Sequence, residues 1–174
     1  INIVLDTVPP TVAITSVDDE AFFATPSVNI AGTANDANLS ACYLNGQLLN
    51  TSNGRFAQNL ELAEGSNALV LNAADKAGNH TVIDLNVNID SVPPVIVVTS
   101  PVNNAFIDAN VINVSGIVLD DNLNTFKGNN ADISFEGSTF SYPLDLSEGR
   151  NVLKLEATDK SGNTSTVSFV VHRT

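Results

Sequence analysis

The sequence is poor in cysteine, basic residues and long apolar runs, and each shortage excludes a class of structure or function. Cys42 is the only cysteine among 174 residues, so no disulfide can form within the chain. Seven Lys and Arg against 19 Asp and Glu give a formal charge of −12, which repels nucleic-acid phosphates and anionic lipids. No apolar run approaches the roughly 18 residues of a membrane-spanning helix. We therefore expect neither a nucleic-acid partner nor a membrane span.

An internal repeat organises the chain. The segment Asp6-Thr7-Val8-Pro9-Pro10 recurs 84 residues later as Asp90-Ser91-Val92-Pro93-Pro94, and the residues behind each copy match without a gap. The repeat predicts two domains, residues 6–89 and 90–174. Residues 1–5 align with residues 85–89, so they are predicted to be the last strand of a preceding repeat or a mimic of one. The paired prolines restrict φ and indicate a semi-rigid linker.

Apolar residues alternate along short segments that are separated by turn signals. In residues 27–33, for example, Val28, Ile30 and Gly32 share one face and match Ile112, Val114 and Gly116 of the second copy. Asn45-Gly46 and Asn53-Gly54 are strong hairpin signals because both residue types tolerate positive φ. In no segment do apolar residues recur at the 3.6-residue period of a helix. The pattern predicts an all-β protein of two tandem immunoglobulin-like antiparallel β-sandwiches, with about seven strands each.

Three motifs appear in both copies: Asp-x-x-Pro-Pro, Leu-x-Leu-x-Glu-Gly-x-Asn-x-Leu, and Ala-x-Asp-Lys-x-Gly-Asn. A fourth, Val-x-Ile-x-Gly, occurs in the first copy and has the form Ile-x-Val-x-Gly in the second. In this combination the chain resembles the bacterial Ig-like repeats of secreted and cell-surface proteins, including the type similar to glucodextranase domain B. The resemblance covers essentially the whole chain. It implies a spacer, stalk or adhesion module of a large extracellular bacterial protein, with neighbouring repeats of the same polypeptide as its partners.

Carboxylates concentrate in the linkers and in two loops of each predicted domain. In a sandwich of this strand order the linker and the loops after the second and sixth main strands lie at one end. The candidate metal ligands at that end are Asp6, Asp36 and Asp75 in the first domain, and Asp90, Asp120, Asp121 and Asp159 in the second. Calcium requires six to eight oxygen ligands, and such a group could supply several. The alternative is that these side chains only cap turns.

Catalytic chemistry is not indicated. His80 and His172 do not occupy equivalent positions of the repeat, and Cys42 aligns with Phe126 and is expected to be a buried thiol. We therefore predict a non-catalytic spacer or structural segment, located outside the cell, which calcium bound at the candidate carboxylates would stiffen. The alternatives are an adhesion or carbohydrate-binding accessory module, for a surface protein or secreted glycoside hydrolase, and a filament subunit that assembles by strand addition.

Overall fold

The computed structural model describes residues 5–174, and these residues form two units that consist of strands, turns and loops. One unit ends at Ser91 and the other begins at Val92. Within the described residues there is no helix, and hence none that is long and apolar enough to cross a membrane. The strand predicted for residues 1–5 falls almost entirely outside the described residues; Leu5, the one described, is not in a strand.

The first unit is a sandwich of a three-stranded and a five-stranded sheet, with strand orders β1-β3-β6 and β2-β8-β7-β4-β5. Its strands are β1 (Thr11–Ile14), β2 (Ala21–Phe23), β3 (Ser27–Asn35), β4 (Leu39–Leu44), β5 (Gln47–Leu48), β6 (Arg55–Glu61), β7 (Gly65–Asp75) and β8 (His80–Ile89). Alternate side chains of β3, β4, β7 and β8 fill the space between the sheets, including Ile30, Leu44, Leu71 and Val87. The two-residue period of the sequence therefore produces this core.

The second unit has the same plan with one additional short strand. Its sheets have the orders β14-β15-β11-β9 and β10-β17-β16-β12-β13. The strands are β9 (Val95–Ser100), β10 (Ala105–Ile107), β11 (Val111–Leu119), β12 (Leu123–Gly128), β13 (Ala131–Asp132), β14 (Phe135–Glu136), β15 (Thr139–Asp145), β16 (Gly149–Asp159) and β17 (Thr164–Arg173). Phe126 and Phe140 meet edge to face in its core, with ring centroids 4.9 Å apart.

The predicted fold class is confirmed, and two details differ from the prediction. Two-residue strands raise the count above seven in each unit. One pairing in each unit is parallel: β2 lies along β8, and β10 lies along β17. The parallel pairs arise because β1 and β2, and likewise β9 and β10, are successive pieces of one edge segment that changes from the first sheet to the second.

Candidate functional site

The candidate site of the first unit is built by the linker and two loops. Asp6 lies in the linker, Asp36 in the loop between β3 and β4, and Asp75 at the end of β7. Each contributes one carboxylate oxygen to a group in which all three oxygens lie within 4.8 Å of one another. The sequence placed these residues at one end of the sandwich, and the structure brings their side chains together.

Asp75 is held by the turn that follows it. Its Oδ1 accepts the backbone N–H groups of Ala77 and Asn79, both at 2.9 Å, and its Oδ2 accepts Asn79 Nδ2 at 2.8 Å. The Asn79 side-chain amide, aided by those backbone donors, holds the pKa of Asp75 below its usual value although the residue is buried. Asp75 therefore remains ionised beside two other carboxylates.

Asp6 connects the linker to both loops. Its Oδ1 accepts the N–H of Val8, its Oδ2 accepts Asn38 Nδ2 at 3.0 Å, and its backbone oxygen accepts Asn79 Nδ2 at 3.1 Å. A further bond joins Thr81 Oγ1 to the backbone oxygen of Pro10 at 2.6 Å. The linker segment 6–10 is thus attached to the body of the unit by side chains of β8 and the loops.

The second unit repeats the loop geometry. Asp159, which is 1% exposed, accepts the N–H of Asn163 at 2.8 Å and its side-chain amide at 2.7 Å. Asp120 accepts the N–H of Asn122 at 2.7 Å, as Asp36 accepts that of Asn38. Asp121, the residue next to Asp120, is exposed. Asp90 lies in the linker at the end of the first unit, where its N–H donates to the backbone oxygen of Phe23.

Sequence reasoning missed the role of the other repeated turn. In the Glu-Gly-x-Asn motif, Asn67 Nδ2 donates to the backbone oxygens of Ala63 and Gly65, and Asn67 Oδ1 accepts the N–H of Ala63. Asn151 makes the same three bonds in the second unit. The glutamate has a separate function: Glu64 binds Ser91 at both its N–H and its hydroxyl, at 2.9 and 3.0 Å. The recurrence of Asn at this position was the available signal.

Cys42 and three phenylalanines lie outside the carboxylate group. Cys42 is 1% exposed, and burial raises the pKa of its thiol, so it packs as a small apolar side chain. Phe23 packs against the core of the first unit, whereas its neighbour Phe22 is half-buried. Phe106, the counterpart of Phe22, is 75% exposed and stacks on His172 with ring centroids 4.9 Å apart.

Comparison with known proteins agrees with the repeat and the fold. The model of the family described as glucodextranase, domain B, matches residues 10–91 and again residues 94–173. The chain belongs to that family and consists of two copies of its domain. This confirms the resemblance that the sequence motifs indicated.

A curated relative is bacillopeptidase F of Bacillus subtilis (strain 168), which is 27% identical over 163 residues. The match covers 91% of this chain, and the chain spans 11% of the length of that relative. Among solved structures, the fibronectin(III)-like modules of Clostridium thermocellum CbhA match with a TM-score of 0.58 at 17% identity, covering 94% of this chain and 95% of that one. The I-band fragment of titin matches with a TM-score of 0.65 at 8% identity, covering 97% and 66%. At these identities the structures show the tandem Ig-like or fibronectin(III)-like fold alone.

Proposed function

We propose that the chain is a non-catalytic spacer, a pair of Ig-like units that bears tension within a larger extracellular bacterial protein. The small share of bacillopeptidase F that it matches is in keeping with a segment of a longer polypeptide. The turn hydrogen bonds already use the carboxylates of the candidate site, which suits a structural role for them.

The observation that carries this proposal is the parallel pairing of the first and last parts of each unit. In the first unit, β2 is paired in parallel with β8 over Ala21–Val87, Phe22–Asn88 and Phe23–Ile89. The two ends of the unit therefore leave in opposite directions along this ladder. Tension on the ends loads its hydrogen bonds together in shear and cannot open them one at a time. The pairing of β10 with β17 gives the second unit the same property.

Single-molecule force spectroscopy on the whole chain tests the proposal. We expect two separate unfolding events, each releasing about 290 Å of chain, because about 84 residues extend by at most about 3.5 Å each. Unfolding without a measurable force peak would overturn it. Specific binding of a cell-surface glycan together with such weak resistance would favour the adhesion alternative.

A pair of proline variants shows whether the parallel ladder carries the load. Proline lacks the backbone N–H and disturbs a ladder. The backbone of Phe23 faces β8, since its oxygen accepts the N–H of Asp90, so Phe23→Pro should lower the unfolding force of the first unit further than Phe23→Ala does and leave the second unchanged. Ile107→Pro, at the equivalent position of β10, where the backbone oxygen accepts the N–H of Thr174, should do the reverse when compared with Ile107→Ala. If neither variant lowered the unfolding force of its own unit, the parallel ladder would not be the load-bearing element.

We propose in addition that a divalent cation, with calcium the best fit, binds Asp6, Asp36 and Asp75 and stiffens the linker. The motivation is the approach of three carboxylate oxygens to within 4.8 Å, where a cation would offset their mutual repulsion. The sequence repeat extends the same prediction to Asp90, Asp120 and Asp159.

Thiol labelling of Cys42 measures how much a bound cation stabilises the first unit alone, because the thiol is buried until that unit opens. Calcium at about 1,000 times its dissociation constant should stabilise the folded state by about 4 kcal/mol relative to excess chelator. Asp36→Asn should remove that gain, whereas Asp84→Asn, in the middle of β8, should retain it. Identical labelling rates with calcium and with chelator would contradict cation binding.

A further inference from the structure

The outer face of the five-stranded sheet in the first unit carries a patch of exposed apolar side chains. Leu48, Tyr43 and Val82 lie in one row across β5, β4 and β8, with the polar Asn72 of β7 between Tyr43 and Val82. Val70 lies beside this row on β7. The exposed fractions of Leu48, Tyr43, Val82 and Val70 are 67%, 38%, 48% and 41% respectively. We call these four residues the outer patch. Strands β2, β4, β5, β7 and β8 contain no Lys or Arg, so no long cationic side chain from the sheet covers it.

The same positions in the second unit are polar. The counterparts of Tyr43, Leu48, Val70 and Val82 are Lys127, Asp132, Lys154 and Thr166. There Lys154 pairs with Glu156 at 2.6 Å and lowers the pKa of that carboxyl. The fold is therefore compatible with a charged outer face, and the outer patch is not required by the architecture. Exposed apolar surface of this kind marks an interaction site.

The polar residues beside the patch indicate what covers it. His80, Val82 and Asp84 alternate along β8 and so point to the same side, with His80 and Asp84 each about 7 Å from Val82 along the strand. Consider two copies that meet face to face about a two-fold axis, which lies between the sheets, perpendicular to the strands, and passes over Val82. This rotation places β8 of the second copy over β8 of the first, in the opposite direction. It places His80 of one chain opposite Asp84 of the other, twice, as an isologous interface requires.

The apolar residues complement each other under the same rotation. Ala74 is paired with His80 and Val70 with Asp84, so the axis places the small Ala74 opposite the larger Val70 of the second copy. Tyr43, Leu48 and the polar Asn72 lie in the row on the axis and meet their own counterparts. On either side of that row, the small Ala74 faces the larger Val70, which helps the two sheet faces to interdigitate.

We propose that the outer patch is a self-association surface on which a second copy of this chain docks face to face, with Val82 at the two-fold axis and His80 bonded to Asp84 of the other copy. This does not depend on the spacer function. It adds an interface between two copies whose β8 strands run in opposite directions, at a face that the second unit does not offer.

Sedimentation equilibrium of the whole chain tests the proposal, over a concentration series that reaches about 1 mM, the range of weak interfaces. We expect a concentration-dependent shift from the monomer mass to twice that mass. Tyr43→Lys combined with Val82→Thr, which installs the side chains of the second unit, should give the monomer mass throughout. Val152→Thr changes an exposed valine on the outer sheet face of the second unit and should associate like the unchanged chain.

A charge exchange tests the two-fold register itself. His80→Asp alone and Asp84→Lys alone should each weaken self-association by about tenfold or more. The first sets two carboxylates opposite each other, and the second leaves His80 opposite a side chain that cannot accept a hydrogen bond. An equimolar mixture of the two variants should restore the dimer mass, since both contacts are then attractive. A monomer at every concentration, equal loss in Val152→Thr, or no recovery in the mixture would each overturn the proposal.

Discussion

Asn79 Nδ2 donates a hydrogen bond to the backbone oxygen of Asp6 at 3.1 Å, across 73 residues of sequence. The same nitrogen also donates to Asp75 Oδ2 at 2.8 Å. One amide thus connects the turn after β7 with the linker that enters the unit. This gives a physical reason for the occurrence of the Asp-x-x-Gly-Asn turn together with the Asp-x-x-Pro-Pro linker in the first repeat.

Replacing Asn79 with Ala should therefore loosen both the turn and the linker. Two half-buried hydrogen bonds to oxygen atoms are lost, one of them to a charged carboxylate, so we expect the first unit to lose about 1–3 kcal/mol. The rate of Cys42 labelling measures the opening of that unit. Asn59→Ala, which removes an exposed side-chain bond to Asn29, should cost less than about 0.5 kcal/mol. Equal effects of the two variants would contradict the connecting role of Asn79.

The pH dependence of stability should identify Asp75. Its pKa is lower in the folded unit than in the unfolded chain, where a value of about 3.9 applies. Its stabilising contribution is therefore present above that unfolded value and is lost as the pH falls through the folded-state pKa. Asp75→Asn should be less stable than the unchanged chain at pH 7, and the difference should shrink in acid. A difference that stays constant from pH 7 into that acidic range would show that the charge of Asp75 is not responsible.

The sequence predicts the sandwich well because its strands bury alternate residues. Val28 and Ile30 were placed on one face by their period, and each is buried. The group of Asp6, Asp36 and Asp75 was also predictable, because turns at one end of a sandwich bring distant residues together. Metal binding by that group stays a prediction.

Other features depend on details that a period does not encode. Strand β2 has only three residues, all partly buried, and such a segment shows neither its partner nor its direction. Phe106 lies on the edge strand β10 and is 75% exposed although one face of its ring stacks on His172. The outer patch cannot be recognised from the sequence alone. Its recognition requires the pairing register of the strands, together with a position-by-position comparison of the two repeats.

Gly32 on β3 lies against β1, and Gly116 on β11 lies against β9. Neither position has room for a side chain. A Cβ on Gly32 would lie 2.1 Å from the backbone oxygen of Ala13, and one on Gly116 would lie 2.1 Å from that of Val97. Gly32→Ala should therefore displace β1 and cost about 1–3 kcal/mol or more. Gly46→Ala, at a turn glycine with φ of +78° and open space around it, should cost only about 1 kcal/mol from backbone strain. Chemical denaturation with Cys42 labelling compares the two variants, and a smaller loss of stability for Gly32→Ala would contradict the close contact between Gly32 and Ala13.

Glu20 and Asn104 occupy the same position of the two repeats and share an unusual backbone conformation. Their φ angles are 61° and 65°, and their N–H groups donate to Asn86 and Val170 at 2.8 and 2.7 Å. The left-handed region suits Asn better than Glu, because a short amide side chain tolerates it. Glu20 is thus the strained member of the pair.

Exchanging the two residues should shift stability in opposite directions. Glu20→Asn should stabilise the first unit by about 0.5–1 kcal/mol, and Asn104→Glu should destabilise the second by a similar amount, since the strain of such a residue is of order 1 kcal/mol. Amide hydrogen exchange, read separately for peptides of each unit, follows both changes in one chain. Glu20→Asn also removes one negative charge from a unit with ten acidic and two basic residues among positions 1–91, so Glu20→Gln is the control for charge alone. If Glu20→Gln stabilised the unit as much as Glu20→Asn, charge repulsion and not the backbone conformation would account for the gain.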